Sequence, residues 1–499
     1  MNFSILLHLQ LHTGKRLLQA TAAACVLLGL AGCIAVPDDA DHMKPADLAH
    51  AQLAADIQLA QDGWPEAQWW KSYRDPQLDA LISQALQGSP SLAAASARIS
   101  AAQAALTVSL QSRQVSTGFI GGANDQRYSA NGLLPPPIGG SFYTDENLQL
   151  QARYDLDWWG KHKAQIAAAV GETNVRKAEY AQAERTLATA IARSYFNLQG
   201  SWARLANLQL MLVNQDELVA DKNKRIAHGL AAQDEQRKAE TRRDELKLQI
   251  VQLTTQSTLE REALRALVAA TADSLPDLRP QPLPATTPAL PARLGLELLA
   301  RRPELQAARW RVQAALNRVE LARAAFYPDV NLTGAFGLDA IDLGHLLETG
   351  SRTVFAGATV SVPLFNSKQL SGQLGLARSQ RDELIAEYNQ TVFEAVREVA
   401  QAGANLQGVE QQIRQQAQIV QTTGALQETV QKKFRQGLAD HAALLEATLA
   451  MQQKADVQLQ LHNQQLLAEI SLVKALGGGY QAEAGEARQS PGPSPNKPE

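Results

Sequence analysis

Few side chains in this sequence are placed to do covalent or metal chemistry. Its 499 residues include nine histidines and two cysteines, and beyond residue 32 none of them recur at the short spacings that present metal ligands together. The triplet Gly477, Gly478, Gly479 follows a helical pattern rather than a strand, so it reads as a helix C-cap and turn, not as a phosphate-binding loop. Cys25 lies inside an apolar leader, so the chain left after cleavage has one thiol and no disulfide, although the leader sends it to an oxidising compartment. The residue whose chemistry remains to be explained is Cys33.

Lys15 and Arg16 precede an apolar run from Leu17 to Leu30 that is too short to span a bilayer, which marks residues 1–32 as an export signal. The apolar stretch before Lys15 is longer than such a signal needs, which puts the translation start in question but leaves the features that follow unaffected. The run ends in Leu30, Ala31, Gly32, Cys33, which resembles a bacterial lipobox. There the sulfur takes a diacylglyceryl group before cleavage, and the new N-terminus is acylated. An ordinary secretory signal with an incidental cysteine is the alternative. Ile34 stands where an aspartate would resemble an inner-membrane retention signal, so the outer membrane is the expected destination.

Composition limits what such a protein can be. Aromatics make up 5% and the net charge is −3, which gives neither the bulk for several large compact cores nor an electrostatic case for nucleic acid. Alanine and glutamine are plentiful, as closely packed long helices tolerate. Beyond the leader no long apolar span occurs, so any passage through a membrane must use strands.

The elements come in two copies. Asn197, Leu198, Gln199, Gly200 recur as Asn405, Leu406, Gln407, Gly408, and Gly229, Leu230, Ala231 recur as Gly437, Leu438, Ala439 at the same offset. Pro90, Ser91, Leu92 matches Pro303, Glu304, Leu305. Each copy should run helix, two strands, long helix, tight break, shorter helix. The boundaries are an N-terminal linker at 33–75, a first copy at 76–270, a proline-rich connection at 271–300, a second copy at 301–476 and a tail at 477–499, read as disordered at its end.

The strand signal is strict alternation. Over Asn147 to Trp158, Leu148, Leu150, Ala152, Tyr154, Leu156 and Trp158 alternate with Asn147, Gln149, Gln151, Arg153, Asp155 and Asp157. Val330, Leu332, Gly334 and Phe336 repeat this, as do Val354, Ala356, Ala358, Val360, Val362 and Leu364, while Gln114 to Gly122 is less regular. A soluble sandwich alternates too. Strand length, the edge aromatics Tyr154, Trp158 and Trp159, and the export signal favour a membrane barrel, with Leu148, Leu150, Tyr154, Val330, Leu332, Val360 and Val362 toward lipid and Gln149, Arg153, Asp155 and Asn331 toward water.

The helices that follow, Lys161 to Ala227 and Lys368 to Phe434, contain no proline and at 1.5 Å per residue would each reach about 100 Å. In the second, Ala395, Val399, Ala402, Leu406, Val409, Ile413, Ala417 and Val420 form a near-heptad seam with one stutter. The return helices, Asp234 to Ala270 and Asp440 to Leu476, are about half as long. The expected remedy is end-to-end stacking between copies, Arg301 to Phe326 on the first return helix and Pro90 to Ser112 on the second. Four strands cannot close a barrel in lipid, so oligomerisation follows, and a lumen favours twelve strands over eight.

With these residues in view the chain resembles the outer-membrane efflux protein (TolC) family, in its multidrug lipoprotein branch. The resemblance covers about Trp64 to Tyr480. It is carried by Trp69, Trp70, Tyr73, Asp75 and Pro76; by Asp155 to Lys161; by Arg301, Arg302, Pro303, Glu304, Leu305; by Phe326, Tyr327, Pro328; by Val362, Pro363, Leu364, Phe365; and by Leu476 to Tyr480. It implies an α+β membrane protein, a homotrimer sharing one twelve-stranded β-barrel continuous with a periplasmic α-helical barrel, and no catalytic residues or dissociable cofactor. It also implies a tip narrowed by acidic residues, which by position are Glu446 and Glu235, whereas Ala443 and Ala439 stand where relatives often hold a second acid and a basic link. The repeated turns Gly229, Leu230 and Gly437, Leu438 would meet a periplasmic membrane-fusion adaptor, with an inner-membrane transporter supplying energy. The expected function is a passive exit duct for small toxic compounds. A type I protein-secretion duct, a structural coiled-coil surface lipoprotein and, more weakly, an outer-membrane enzyme are the alternatives; bilayer conductance separates the two ducts from the stalk and the enzyme.

Overall fold

The structure is a computed structural model that describes residues 35–39, 42–46, 57, 62–229, 232–271, 275–285, 289–291, 295–363 and 365–481. Cys33, Leu230, Leu364 and the tail after Gln481 lie outside the described residues. Two units are distinguished, and each draws on both sequence copies. One comprises Ser100–Asn174, Trp310–Glu387 and the described part of Met1–Lys44; the other comprises Pro45–Ile99, Val175–Arg309 and Tyr388–Glu499.

The first unit holds the strands β1 (Ser116–Arg127), β2 (Phe142–Leu156), β3 (Asp329–Ala340) and β4 (Arg352–Ser361). They form one antiparallel sheet in chain order. Directly opposed residues share a face, so the register tests the alternation read from sequence. Phe119, Leu150, Phe336 and Val354 form one continuous apolar row; Leu156, Val330, Val360 and Tyr154, Leu332, Ala358 form two more. The opposite face carries Gln149, Arg153, Asp155, Asn331 and Thr333, with Ile120 and Phe355 as apolar exceptions. A Cβ on Gly337 would stand 2.3 Å from the carbonyl oxygen of Leu148, so that crossing needs glycine.

β2 begins five residues earlier than the alternation suggests, because Ala123–Arg127 of β1 extend to pair with Phe142–Glu146. It ends before Trp158. The Asp157 carboxylate accepts from the backbone N–H groups of His162 (3.0 Å) and Lys163 (2.9 Å), which makes Asp157 a helix cap rather than a strand residue. β4 likewise stops at Ser361, short of Val362. The two strand-to-helix corners are joined: Trp159 stacks on Tyr327 at 4.6 Å between ring centres, its Nε1 donates to the Pro328 carbonyl at 2.9 Å, and Lys161 pairs with Asp329 at 2.8 Å.

The helices are α1 (Pro76–Gly88), α2 (Pro90–Gln111), α3 (Lys161–Ala227), α4 (Gln233–Leu267), α5 (Gly295–Arg301), α6 (Pro303–Ala324), α7 (Ser367–Arg435) and α8 (His441–Ala475). In the second unit Leu78, Leu81 and Ile82 of α1 are fully buried against Ile191, Tyr195 and Phe196 of α3, Leu264 of α4 and Ile470 of α8. Asp75 caps α1, accepting from Gln77 N–H at 2.9 Å and from the Tyr195 hydroxyl at 2.5 Å. The proline-rich connection is held by side-chain amides that exchange hydrogen bonds with its backbone, Gln77 with Arg279, and Gln199 with Arg279 and Gln281.

One expected arrangement is overturned. The end of α8 meets the segment that opens α6: a Cβ on Gly477 would lie 1.8 Å from the Arg301 carbonyl oxygen. The second return helix therefore abuts the upper helix of its own copy, not Pro90–Gln111 of the other. Glycine permits this contact, since Gly477, Gly478 and Gly479 all have positive φ. The buried Arg302 and the part-buried Glu304 anchor the same junction, with Arg302 donating to the Ala395 carbonyl at 3.1 Å and Glu398 at 2.6 Å, and Arg185 donating to Glu304 at 2.7 Å. The α7 seam holds from Ala395 through Val399 and Leu406 to Val409 and then shifts. Beyond it Gln416 is buried in place of the exposed Ala417, its Nε2 donating to the Lys454 carbonyl at 2.8 Å.

Candidate gate and hairpin tips

Both long helices end in the same way. The N–H of Gly229 donates to the Ile226 carbonyl at 2.9 Å and that of Gly437 to Phe434 at 3.0 Å, with φ of +69° and +70°. Leu438 N–H closes the second turn onto Lys433 at 2.8 Å, the signature of a glycine C-cap. Leu438 is 73% exposed, and such an apolar knob gains nothing from solvent. Two residues on, Asp440 caps the start of α8, its carboxylate accepting from Ala443 N–H at 2.8 Å. Ala443, neutral as a side chain, thus serves through its backbone.

The acidic residues singled out from the resemblance share one partner. Lys222 of α3 reaches Glu235 of α4 at 2.9 Å and Glu446 of α8 at 3.1 Å. Its side chain is only 12% exposed, whereas the two carboxylates are about half exposed. Burial works against the ammonium charge, but hydrogen bonding to Glu235 and Glu446 outweighs it and raises the Lys222 pKa. One turn further along α3, Arg225 pairs with Asp440, and Asp221 stands 3.9 Å from His441. Asp440 is held below the ordinary carboxylate range by the Ala443 N–H bond and by Arg225. Beneath this polar clasp, Leu208, Met211 and Leu218 of α3 pack with Leu246 of α4 and Ala442, Leu445 and Leu449 of α8.

Sequence reading missed Lys222, Arg225 and Asp221. The available signal was a basic residue at 222 and another at 225, one turn apart on α3, with Asp440 and Glu446 near the start of α8. Only the fold brings those segments together. Among the described residues no group of three or more His, Cys, Asp or Glu is gathered for a metal, and no helix is long and apolar enough to cross a membrane.

A sheet with one apolar face and two edges unpaired within the chain, joined to helical hairpins with capped tips, defines a subunit of an outer-membrane channel. The chain belongs to the outer membrane efflux protein family, whose model matches residues 81–270 and 294–478. It is 39% identical over 473 residues to the multidrug resistance outer membrane protein MdtP of Escherichia coli (strain K12), covering 92% of this chain and 96% of that one. Multidrug resistance outer membrane protein MdtQ of Escherichia coli O157:H7 is 33% identical, covering 92% and 98%. Among solved structures, the outer membrane protein VceC of Vibrio cholerae matches with a TM-score of 0.74 at 30% identity, covering 84% of this chain and 100% of that one. The outer-membrane channel OprN matches with a TM-score of 0.78 at 25% identity, covering 90% and 99%. The protein is thus an outer-membrane efflux channel subunit with the shared-barrel fold of that family.

Proposed function

We propose that this chain is the exit duct of a tripartite drug-efflux system, a homotrimer that conducts small toxic compounds passively from a periplasmic adaptor and an inner-membrane transporter to the exterior. The apolar rows, one crossing all four strands and two crossing β2 to β4, carry the reading, because such a face suits lipid and the two unpaired edges call for further copies. Three copies supply twelve strands around one lumen. Cys33 carries an S-diacylglycerol and an N-acyl chain, and the chain performs no catalysis of its own. Leu230 and Leu438, beside Gly229 and Gly437, form the adaptor contact. Glu446 and Glu235 line the periplasmic constriction, and the Lys222 clasp holds α3, α4 and α8 together there in place of the missing links at Ala439 and Ala443.

The test is reconstitution. Purified protein in planar bilayers should give discrete conductance steps, and expression with its adaptor and transporter should restore drug resistance to a strain lacking its own exit duct. Absence of any conductance would return the chain to the class of surface stalks.

A further inference from the structure

The segment that follows Cys33 is not a loose tether. Pro37 to Asp39 lie against α7, where Arg378 donates to the Pro37 carbonyl at 2.7 Å and the Asp38 carbonyl at 2.8 Å. One turn on, Arg381 grips the Asp39 carboxylate with two N–H groups, at 2.5 and 3.1 Å. The Arg381 side chain is 4% exposed and is itself oriented by Asp382 at 2.9 Å. Val36 packs into a small apolar cluster of Val319, Phe326, Leu370 and Leu374. The carboxylate, the two carbonyls and the apolar side chain are thus each received by a partner on the strand-bearing unit. A bidentate arginine pair with one member nearly buried is among the better-defined ion pairs a protein makes.

We propose that Arg378 and Arg381 form a receptor for the N-terminal segment, which delivers the acyl group of Cys33 to a fixed place beside the barrel rim. The proposal rests on the reading that Cys33 is lipidated. Cys33 is three residues before Val36, a span of at most about 11 Å. Val36 packs on the cluster that contains Leu370, one turn inside α7, which follows β4 in the chain. The same unit holds the exposed Trp158 and Trp159 in the turn after β2, residue types that settle at the headgroup level. The lipid so held acts as a positioned wedge at the barrel's periplasmic end, and the arginines transmit its insertion to the strands.

The test combines Asp39→Ala, Arg378→Ala with Arg381→Ala, and Cys33→Ser, alone and together, in the full chain carrying its signal. Three quantities are read: the mass of the mature N-terminal peptide, hydrogen exchange of residues 35–46, and the fraction of chains recovered as oligomers in the outer membrane. Asp39→Ala should leave acylation unchanged, speed exchange in 35–46 at least tenfold, and lower assembly to the level of Cys33→Ser. Adding Cys33→Ser to it should then lower assembly no further. The swap Asp39→Arg with Arg381→Asp should restore both exchange protection and assembly. Acylated Asp39→Ala chains that assemble like the parent, or losses that add to those of Cys33→Ser, would overturn the receptor. An unmodified Cys33 in the parent would instead remove the lipidation reading beneath it.

Discussion

Lys222 joins three helices through two carboxylates, and its removal is the sharpest single-residue test of the tip. Each pair, with a half-exposed acid, is worth up to about 1 kcal/mol, so together they would favour the proposed constriction by at most roughly thirtyfold. Lys222→Met should leave oligomers intact, raise basal conductance and sensitise cells to antibiotics too large for the closed tip; an unchanged leak would show that the clasp does not hold the constriction. Glu446→Gln should assemble normally while weakening divalent-cation block and cation preference, because one formal charge per copy is lost near the axis. Asp440 adds a pH dependence. A carboxylate whose pKa falls on folding stabilises the fold above its unfolded value and loses that stabilisation as pH drops through the folded one. Protection of the amides at the start of α8, measured against their intrinsic exchange rates, should therefore hold at pH 7 and 5 and fall as the pH drops below the ordinary aspartate range, a fall that Asp440→Ala should abolish by removing the protection throughout.

At the scale of elements, the sheet face and the hairpin ends make separate predictions. Leu150 sits in the row Phe119, Leu150, Phe336, Val354, so Leu150→Arg should cost about 2 to 4 kcal/mol near the bilayer midplane, whereas Gln149→Arg on the other face should be tolerated. Urea titration of both variants in lipid would check this; a larger loss for Gln149→Arg would mean that the faces are reversed, and equal losses that the two faces do not differ in their surroundings. Replacing Leu230 and Leu438 with Asp should abolish resistance while leaving membrane oligomers; undiminished crosslinking to the adaptor would count against the tip assignment. Much of this was legible beforehand. The α3 range follows from a proline-free run that ends at the Gly229 turn, and the alternation on β2 and β3 from a period of two, both of them local properties. The ends of β2 were not, because Asp157 reads as one more polar strand residue until its carboxylate is seen capping α3. The clasp was not legible either, for its members are spread over more than two hundred residues, and their meeting depends on the packing of Leu208, Leu246 and Leu445. The same limit explains the inverted stacking expectation, since the length of a helix does not say which helix its end will meet.

At the scale of the whole molecule, the decisive quantity is the number of copies. Each chain offers one edge at β1 and one at β4, and head-to-tail pairing of those edges closes a ring. Native mass spectrometry of the detergent-purified protein should give three chains per particle, and a cysteine pair placed across β1 and β4 should crosslink between chains in a ladder ending at the trimer. A terminal dimer would leave eight strands, a barrel with an interior filled by side chains and no useful lumen.

The core of the helical unit joins Trp69, Trp70 and Leu78 to Leu466 and Ile470, residues at opposite ends of the chain. Its contact order is therefore high, and loop closure over almost the entire sequence precedes the reward of burial. Because export is vectorial, the first of these aromatics emerges long before its partners and waits, uncovered, until α8 follows. A chain arrested or truncated before about residue 466 should thus be a substrate for periplasmic holdases and proteases rather than a shortened channel. The half-made protein would then be removed before a leaking pore could reach the membrane.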